Sequence, residues 1–285
     1  MMLVVFCFIG YQTTGERFMN NKPIAVVDSG VGGLACLSEI RDAMPSEDII
    51  YFGDTANMPY GTKTKEELLC CVKNFTDYLC EYGVKMIILA CGTMSSTAIP
   101  FFYENYPEIL IQGIIDPAVA AVVRACSEGD KVGVIATPRS IESGGYQAAF
   151  GRVKKNLEVF YKGCPELSVY IEKGITDGPE MEKLLHSYLD DMVEKDGIGT
   201  LLLGCTHYPL VSECINRLYP DLKLVDPAFS LARNAAMLLS VHELDADDER
   251  DGELMIYASK KTESFVKMAE RLGLGDYPVE EVTLK

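Results

Sequence analysis

Positive charge is scarce in this chain. Its 285 residues carry 26 Lys and Arg against 42 Asp and Glu, for a formal net charge of −16 and a pI near 4.6. No basic patch is available to track a phosphate backbone, which argues against nucleic-acid binding. No C-x-x-C pair occurs, so a zinc ribbon or a thioredoxin-like site has no basis in the sequence. The ten cysteines lack the short, regular spacing of a secreted disulfide framework, and a chain of this length does not need such staples. Free, mostly buried thiols in a reducing cytoplasm are expected instead; Cys70 and Cys71 are adjacent, and Cys80, Cys126, Cys164 and Cys214 fall in helix or strand patterns. There is no linker, low-complexity tract or membrane-spanning run. The apolar stretch Met2–Ile9 is too short for a bilayer and lacks the basic start of a signal peptide. The core is expected to begin near Met19, leaving residues 1–18 as a start-site extension or a loosely attached strand.

What is present is an ordinary globular mixture, 48% hydrophobic and 24% charged, enough for one large domain or two small ones. Strand patterns fall at 24–28, 48–52, 86–90, 110–114, 132–136, 157–161, 200–204, 222–225 and 254–257. Helical patterns fall at 32–44, 64–82, 96–105, 117–127, 139–150, 178–195, 209–218, 228–241 and 261–272. Short buried strands alternating with longer amphipathic helices predict an α/β fold with mainly parallel, helix-flanked sheets. Thr64 stands three residues before Glu67, the spacing of a capping box, and Pro179 sits where a helix tolerates proline, in its first turn. The acidic run 243–253 reads as a solvated loop, with an acidic interaction surface as the alternative.

Two cysteines occupy matching settings. Cys91 follows Ile87-Ile88-Leu89-Ala90, and Cys205 follows Leu201-Leu202-Leu203-Gly204. Each thiol therefore ends a buried strand, and the C-terminal ends of parallel strands face the crevice where open α/β sheets bind ligands. Two thiols from two related halves place a sulfur on each wall of a cleft. That arrangement suits removal of a proton from one face of a carbon and delivery of one to the other. Asp28 ends the first strand and opens the loop Ser29-Gly30-Val31-Gly32-Gly33. Its glycines permit a tight turn and close approach of a ligand, but the spacing is not G-x-G-x-x-G and no Walker lysine follows. Asp28 is read either as a carboxylate that orients or activates a neighbour or as a helix cap.

These segments together resemble the glutamate racemases. Asp28-Ser29-Gly30-Val31-Gly32-Gly33 resembles the opening motif of that family, and Phe52-Gly53-Asp54-Thr55-Ala56-Asn57-Met58-Pro59-Tyr60-Gly61 its second. Ala90-Cys91-Gly92-Thr93 and Leu203-Gly204-Cys205-Thr206-His207-Tyr208-Pro209 resemble its two catalytic motifs. Gly133–Thr137 and Gly174–Asp177 add further matches, in family order, over about residues 22–260. The resemblance implies two pseudo-symmetric α/β domains with the active site in the cleft between them. Residues 22–115 plus 226–285 would form the first domain, 116–225 the second, and 1–21 an extension outside the core. It implies an isomerase that interconverts L- and D-glutamate by two-thiol proton transfer and supplies D-glutamate for peptidoglycan. Cys91 and Cys205 would be the bases, with Asp28 assisting the first and His207 the second. Ser29, Thr93 and Thr206 would bond the amino and carboxyl ends of the substrate. Pro59, Tyr60 and Gly61 would hold the side-chain carboxylate through backbone N–H groups. Thr137 and Ser140 match a further hydroxyl pair; turn or cap bonds are the competing role for each hydroxyl. No cofactor, metal, membrane or nucleic acid is implied, the setting is cytoplasmic, and a homodimer is left open.

One position departs from the resemblance. The family carries Asn directly after the first cysteine, and this chain has Gly92. The missing amide is expected to raise KM for glutamate about tenfold relative to Gly92→Asn, for about 1.4 kcal/mol. A water, Met94 or Ser95 would fill the gap. The alternatives are a related racemase or isomerase acting on aspartate or another acidic substrate, and a non-catalytic amino-acid sensor built on the same cleft.

Overall fold

The computed structural model describes residues 20–284, and the expectations for residues 1–18 lie outside them. The chain alternates strand and helix: β1 (Ile24–Asp28), α1 (Leu34–Ala43), β2 (Ile49–Gly53), α2 (Lys65–Cys80), β3 (Met86–Leu89), α3 (Gly92–Asn105), β4 (Leu110–Gly113) and α4 (Ile115–Ala125). It continues through β5 (Lys131–Ala136), α5 (Pro138–Glu142), α6 (Gly145–Gly151), β6 (Glu158–Gly163), α7 (Leu167–Glu172), α8 (Pro179–Asp190) and β7 (Thr200–Leu203). Then follow α9 (Ser212–Leu218), β8 (Lys223–Val225), α10 (Ala228–Val241), β9 (Leu254–Ala258), α11 (Glu263–Arg271) and β10 (Val279–Glu281).

Every strand pairing is parallel, in two sheets. The first has the order β10-β9-β2-β1-β3-β4 and the second β6-β5-β7-β8. The four strands β2-β1-β3-β4 thus repeat in β6-β5-β7-β8, with the same order and sense. That is the internal repeat the cysteine settings pointed to. In each copy the chain steps from the first strand to one side and then returns to the other. The switch points fall between β1 and β3 and between β5 and β7, where open α/β sheets form their ligand crevices.

Burial on both faces explains the apolar strand runs. Along β1, Ile24 and Val26 face α1 and α10 (Leu37, Ile40, Ala235, Leu239). Ala25 and Val27 face α2 and α3 (Leu68, Val72, Phe75, Ala98, Phe102). The second sheet packs Leu201 and Leu203 against Met181, Leu185 and Leu189 of α8. Each such side chain, taken fully out of water, contributes about 1.5–3 kcal/mol.

Several elements differ from expectation: the helix expected over 178–195 is α-helical to Asp190 and continues as a π-helical turn over Asp191–Lys195, and the one expected over 209–218 opens as a 3-10 turn before α9. The helix expected over 139–150 is two helices, because Gly144 adopts φ +73° and ends the first. A tenth strand, β10, lies at the sheet edge on a short and largely charged segment. The short helix α7 had no periodic signal at six residues. The nine cysteines among the described residues are all free. Residues 243–253 form an irregular, partly exposed connection, pinned where Glu47 accepts from Ala246 N–H at 2.8 Å and Asp48 pairs with Arg250 at 2.6 Å. Among the described residues no helix is long and apolar enough to cross a membrane.

Candidate active site

The carboxyl ends of the two sheets face one another across a small cavity, with free space of about 20 Å³. That is room for about one water. Of the residues singled out in the sequence, Ser29, Pro59, Tyr60, Gly61, Cys91, Gly92, Thr93, Thr137, Ser140, Cys205, Thr206 and His207 all line it. Only Asp28 does not. It lies behind the wall, fully buried, and accepts from Gly30 N–H at 2.9 Å and Thr206 Oγ1 at 3.1 Å. Asp28 therefore ties the opening loop of the first half to the Cys205 motif of the second. The glycines of that loop permit this. A Cβ on Gly32 would lie 2.4 Å from Thr206 Oγ1 and 2.7 Å from His207 Nδ1. The close approach expected for a ligand is made here by the second half of the protein.

The two thiols sit in different electrostatic surroundings. Cys91 caps α3, is 6% exposed, and reaches Ser29 Oγ at 3.9 Å. Burial, with the Asp28 charge second, pushes its thiol up to about 12. Asp28 therefore does not activate Cys91 by charge, since a carboxylate beside a thiol disfavours the thiolate. Burial also raises the Asp28 carboxyl above its ordinary range, against the pull of His207 and its own hydrogen bonds. Cys205 is partly exposed, and its Sγ lies 3.6 Å from His207 Nδ1. Burial alone would disfavour an imidazolium. The Cys205 sulfur and the Glu172 carboxylate override it and hold His207 well above the usual histidine range. Glu172 Oε1 lies 2.9 Å from His207 Nε2 but out of line with the ring N–H, so that contact is chiefly ionic.

Glu172 and Ser168 are functional-site residues that the sequence reading missed. Both come from α7 and line the cavity. Glu172 is 35 positions from His207, and nothing local marks it; only the packing of α7 across the Cys205 turn brings them together. Facing them, Thr93 Oγ1, Thr137 Oγ1 and Ser140 Oγ form a hydroxyl triangle with edges of 2.9, 2.9 and 3.3 Å. Thr93 belongs to the first half and the other two to the second. The Pro59–Gly61 loop is fixed from beneath. Tyr60 Oη donates to the buried Asp54 carboxylate, which also accepts from Ser259 Oγ at 2.7 Å and Asn57 Nδ2 at 3.0 Å. Among the described residues, no lysine or arginine lines the cavity. An anionic substrate would meet hydroxyls, backbone N–H groups and the His207 ring.

The vacancy expected at Gly92 is not there. A Cβ at that position would lie 2.8 Å from the Gly204 carbonyl oxygen, so the backbone of the other half already closes on it. Met94 and Ser95 do not fill in; both are buried on α3, and Ser95 Oγ packs against Gly113. Among the described residues, one group of possible metal ligands lies outside this cavity: exposed Asp177, half-buried Glu182 and buried Cys214. There the Arg217 guanidinium already bridges the two carboxylates.

The Asp/Glu/Hydantoin racemase family model matches residues 33–235. Glutamate racemase 1 of Caldanaerobacter subterraneus subsp. tengcongensis is 36% identical over 250 residues, 87% of this chain and 91% of that protein. The crystal structure of glutamate racemase from Francisella tularensis, in complex with D-glutamate, matches with a TM-score of 0.83 and 33% identity, over 92% of this chain and 97% of that one. A glutamate racemase isoform from Bacillus anthracis matches with a TM-score of 0.85 and 30% identity, over 93% of this chain and 100% of that one. Matched sheets, paired strand-end thiols and near full-length likeness agree, and the chain belongs to the glutamate racemases of the Asp/Glu/hydantoin racemase family.

Proposed function

We propose that this chain interconverts L- and D-glutamate by proton transfer between two thiols, supplying D-glutamate for peptidoglycan. The observation that carries the reading is that Cys91 and Cys205 end equivalent strands of two repeated sheets and line one cavity. One sulfur, as thiolate, takes the α-proton from one face. The electron pair left on carbon delocalises into the α-carboxylate, and the opposite thiol gives its proton to the other face. Proton transfer by a positioned base contributes about 10²–10⁴-fold. Hydroxyls and N–H groups aimed at the carboxylate, in a cavity with little water, supply electrostatic stabilisation of the developing charge.

The two bases need different help. His207 lies within reach to exchange a proton with Cys205, and Glu172 keeps the imidazolium favourable. Burial, then the Asp28 charge, disfavours the thiolate of Cys91. The substrate ammonium would bring positive charge beside it, and the Asp28 carboxyl, behind the wall and raised by burial, is the proton acceptor assigned to it in this reading. We assign residues 22–115 with 226–285 to one wall-bearing domain and 116–225 to the other, in keeping with the sheet membership of their strands. A reducing, cytoplasmic setting suits the nine free thiols.

The test is α-proton exchange in D₂O, measured separately from L- and D-glutamate and from both aspartate enantiomers. Wild type should exchange and racemise glutamate in preference to aspartate. Cys91→Ala and Cys205→Ala should each abolish racemisation, and Cys→Ser variants should keep slow exchange from one enantiomer more than the other. Near wild-type racemisation by either alanine variant would show the two-thiol reading to be wrong. Faster turnover of aspartate than glutamate would move the substrate assignment.

A further inference from the structure

The turns that carry the two thiols touch through bare backbone. Gly92 follows Cys91 and begins α3; Gly204 precedes Cys205 at the end of β7. A Cβ on Gly92 would lie 2.8 Å from the Gly204 carbonyl oxygen and 3.5 Å from Tyr146 Oη. A Cβ on Gly204 would lie 2.7 Å from the Ile135 carbonyl oxygen and 2.9 Å from Tyr146 Oη. Neither residue has the positive φ that by itself demands glycine. What demands it is the approach of two main chains. The Gly204 carbonyl is also held: Tyr146, 1% exposed on α6, donates its Oη hydrogen to it at 3.0 Å. Tyr146 and Gly204 belong to the second half and Gly92 to the first. One half therefore presents a fixed carbonyl, and the other rests a side-chain-free backbone upon it.

We propose that Gly92 and Tyr146 are positioning residues that set how closely Cys91 and Cys205 approach the same carbon. This inference rests on the two-thiol reading. Each sulfur is one residue from the contact, so a change in the Gly92–Gly204 spacing passes directly into the sulfur separation. The partner of Gly92 is main chain fixed in a sheet-end turn, not the tip of a flexible side chain. An added methyl group cannot be absorbed by a rotamer; the turns must separate. Proton transfer depends steeply on reach, and misplacement by about 1 Å can cost about 10²-fold. The Pro59–Gly61 loop is fixed within the first half by the Tyr60–Asp54 bond, so its own shape does not depend on the Gly92–Gly204 spacing.

The experiment compares Gly92→Ala, Gly92→Asn and Tyr146→Phe with wild type. Its readouts are kcat and KM in both directions, the primary isotope effect with α-deuterated glutamate, and thermal unfolding. Gly92→Ala should lower kcat at least tenfold in both directions, keep KM within about threefold, and enlarge the isotope effect as proton transfer becomes limiting. Gly92→Asn should be at least as impaired, not improved. Tyr146→Phe adds no atoms; it should lower kcat by a smaller factor with the same enlarged isotope effect, and it decides the matter if Gly92→Ala fails to fold. Unchanged kcat and isotope effect in either folded variant, or a loss confined to KM, would overturn the proposal. The cysteine variants separate the two readings. If they are dead while Gly92→Ala and Tyr146→Phe are normal, the spacer fails and the two-thiol reading stands.

Discussion

At the scale of single residues, the site divides into groups that touch substrate and groups that set their charge. Glu172 belongs to the second kind. Its carboxylate is one of the two neighbours that lift His207 above the ordinary histidine range. Glu172→Gln removes that negative charge and should bring the His207 pKa down. If the active form needs His207 protonated beside Cys205, activity is lost as pH rises through that pKa. The alkaline limb of the kcat/KM profile should then move to lower pH in the variant, and an unmoved limb would remove Glu172 from this role. The same sign governs stability. A histidine raised on folding contributes stability that is full below its unfolded value, about 6.5, and fades as pH climbs through the folded one. Glu172→Gln should shrink this contribution, seen as a smaller fall in unfolding temperature above neutral pH.

At the scale of elements, strand ends hold the chemistry and helix ends hold the strands in place. The capping box of α2 was legible in the sequence and is formed. Thr64 Oγ1 accepts from Glu67 N–H at 3.2 Å, and Glu67 Oε2 accepts from Thr64 N–H at 2.8 Å. This cap is exposed and lies outside the cavity lining, so it offers a clean measurement. Thr64→Ala should cost about 1 kcal/mol, within the 0.5–2 kcal/mol range of lost N-caps. Urea unfolding at neutral pH reads the loss, while kcat should stay within about twofold of wild type. A cost below about 0.3 kcal/mol would mean that packing of Val72, Phe75 and Leu79 alone holds α2.

At the scale of the whole molecule, buried acids with raised pKa values set the alkaline limit. Burial pushes the thiols of Cys36, Cys91 and Cys164 up, the last two to about 12. Burial likewise raises the phenols of Tyr51, Tyr60, Tyr146 and Tyr208. The folded chain keeps these protons at a pH where the unfolded chain releases them. The unfolded state then binds fewer protons, so stability falls as pH rises. The fall should start near the ordinary thiol and phenol values of about 8.5–10 and continue toward 12. A series of thermal melts from pH 8 to 11 checks it, and a flat unfolding temperature would contradict it. Cofactor dependence is also a property of the whole enzyme. Racemase activity should survive exhaustive dialysis against EDTA with no pyridoxal absorbance in the purified protein, and activity restored by added metal or pyridoxal phosphate would refute this.

Apart from β10, α7 and the break between α5 and α6, the order of strands and helices was legible in the sequence, as were the two strand-end thiols and the hydroxyl motifs, because each is written in local pattern. Apolar runs mark strands buried on both faces, and small residues mark the turns that follow them. Tertiary structure alone decided three things. It placed Asp28 behind the wall and bonded it to Thr206 178 positions away, a contact that no local pattern marks. It brought Glu172 to His207 from a helix too short to leave a periodic signal. And it closed the space at Gly92 with the Gly204 carbonyl, so that a residue first read as a lost contact became a point of contact. The physical reason is common to all three. Sequence pattern reports which face of an element is buried, but the electrostatics and clearance of a site between two halves depend on atoms that the chain brings together only when both are folded.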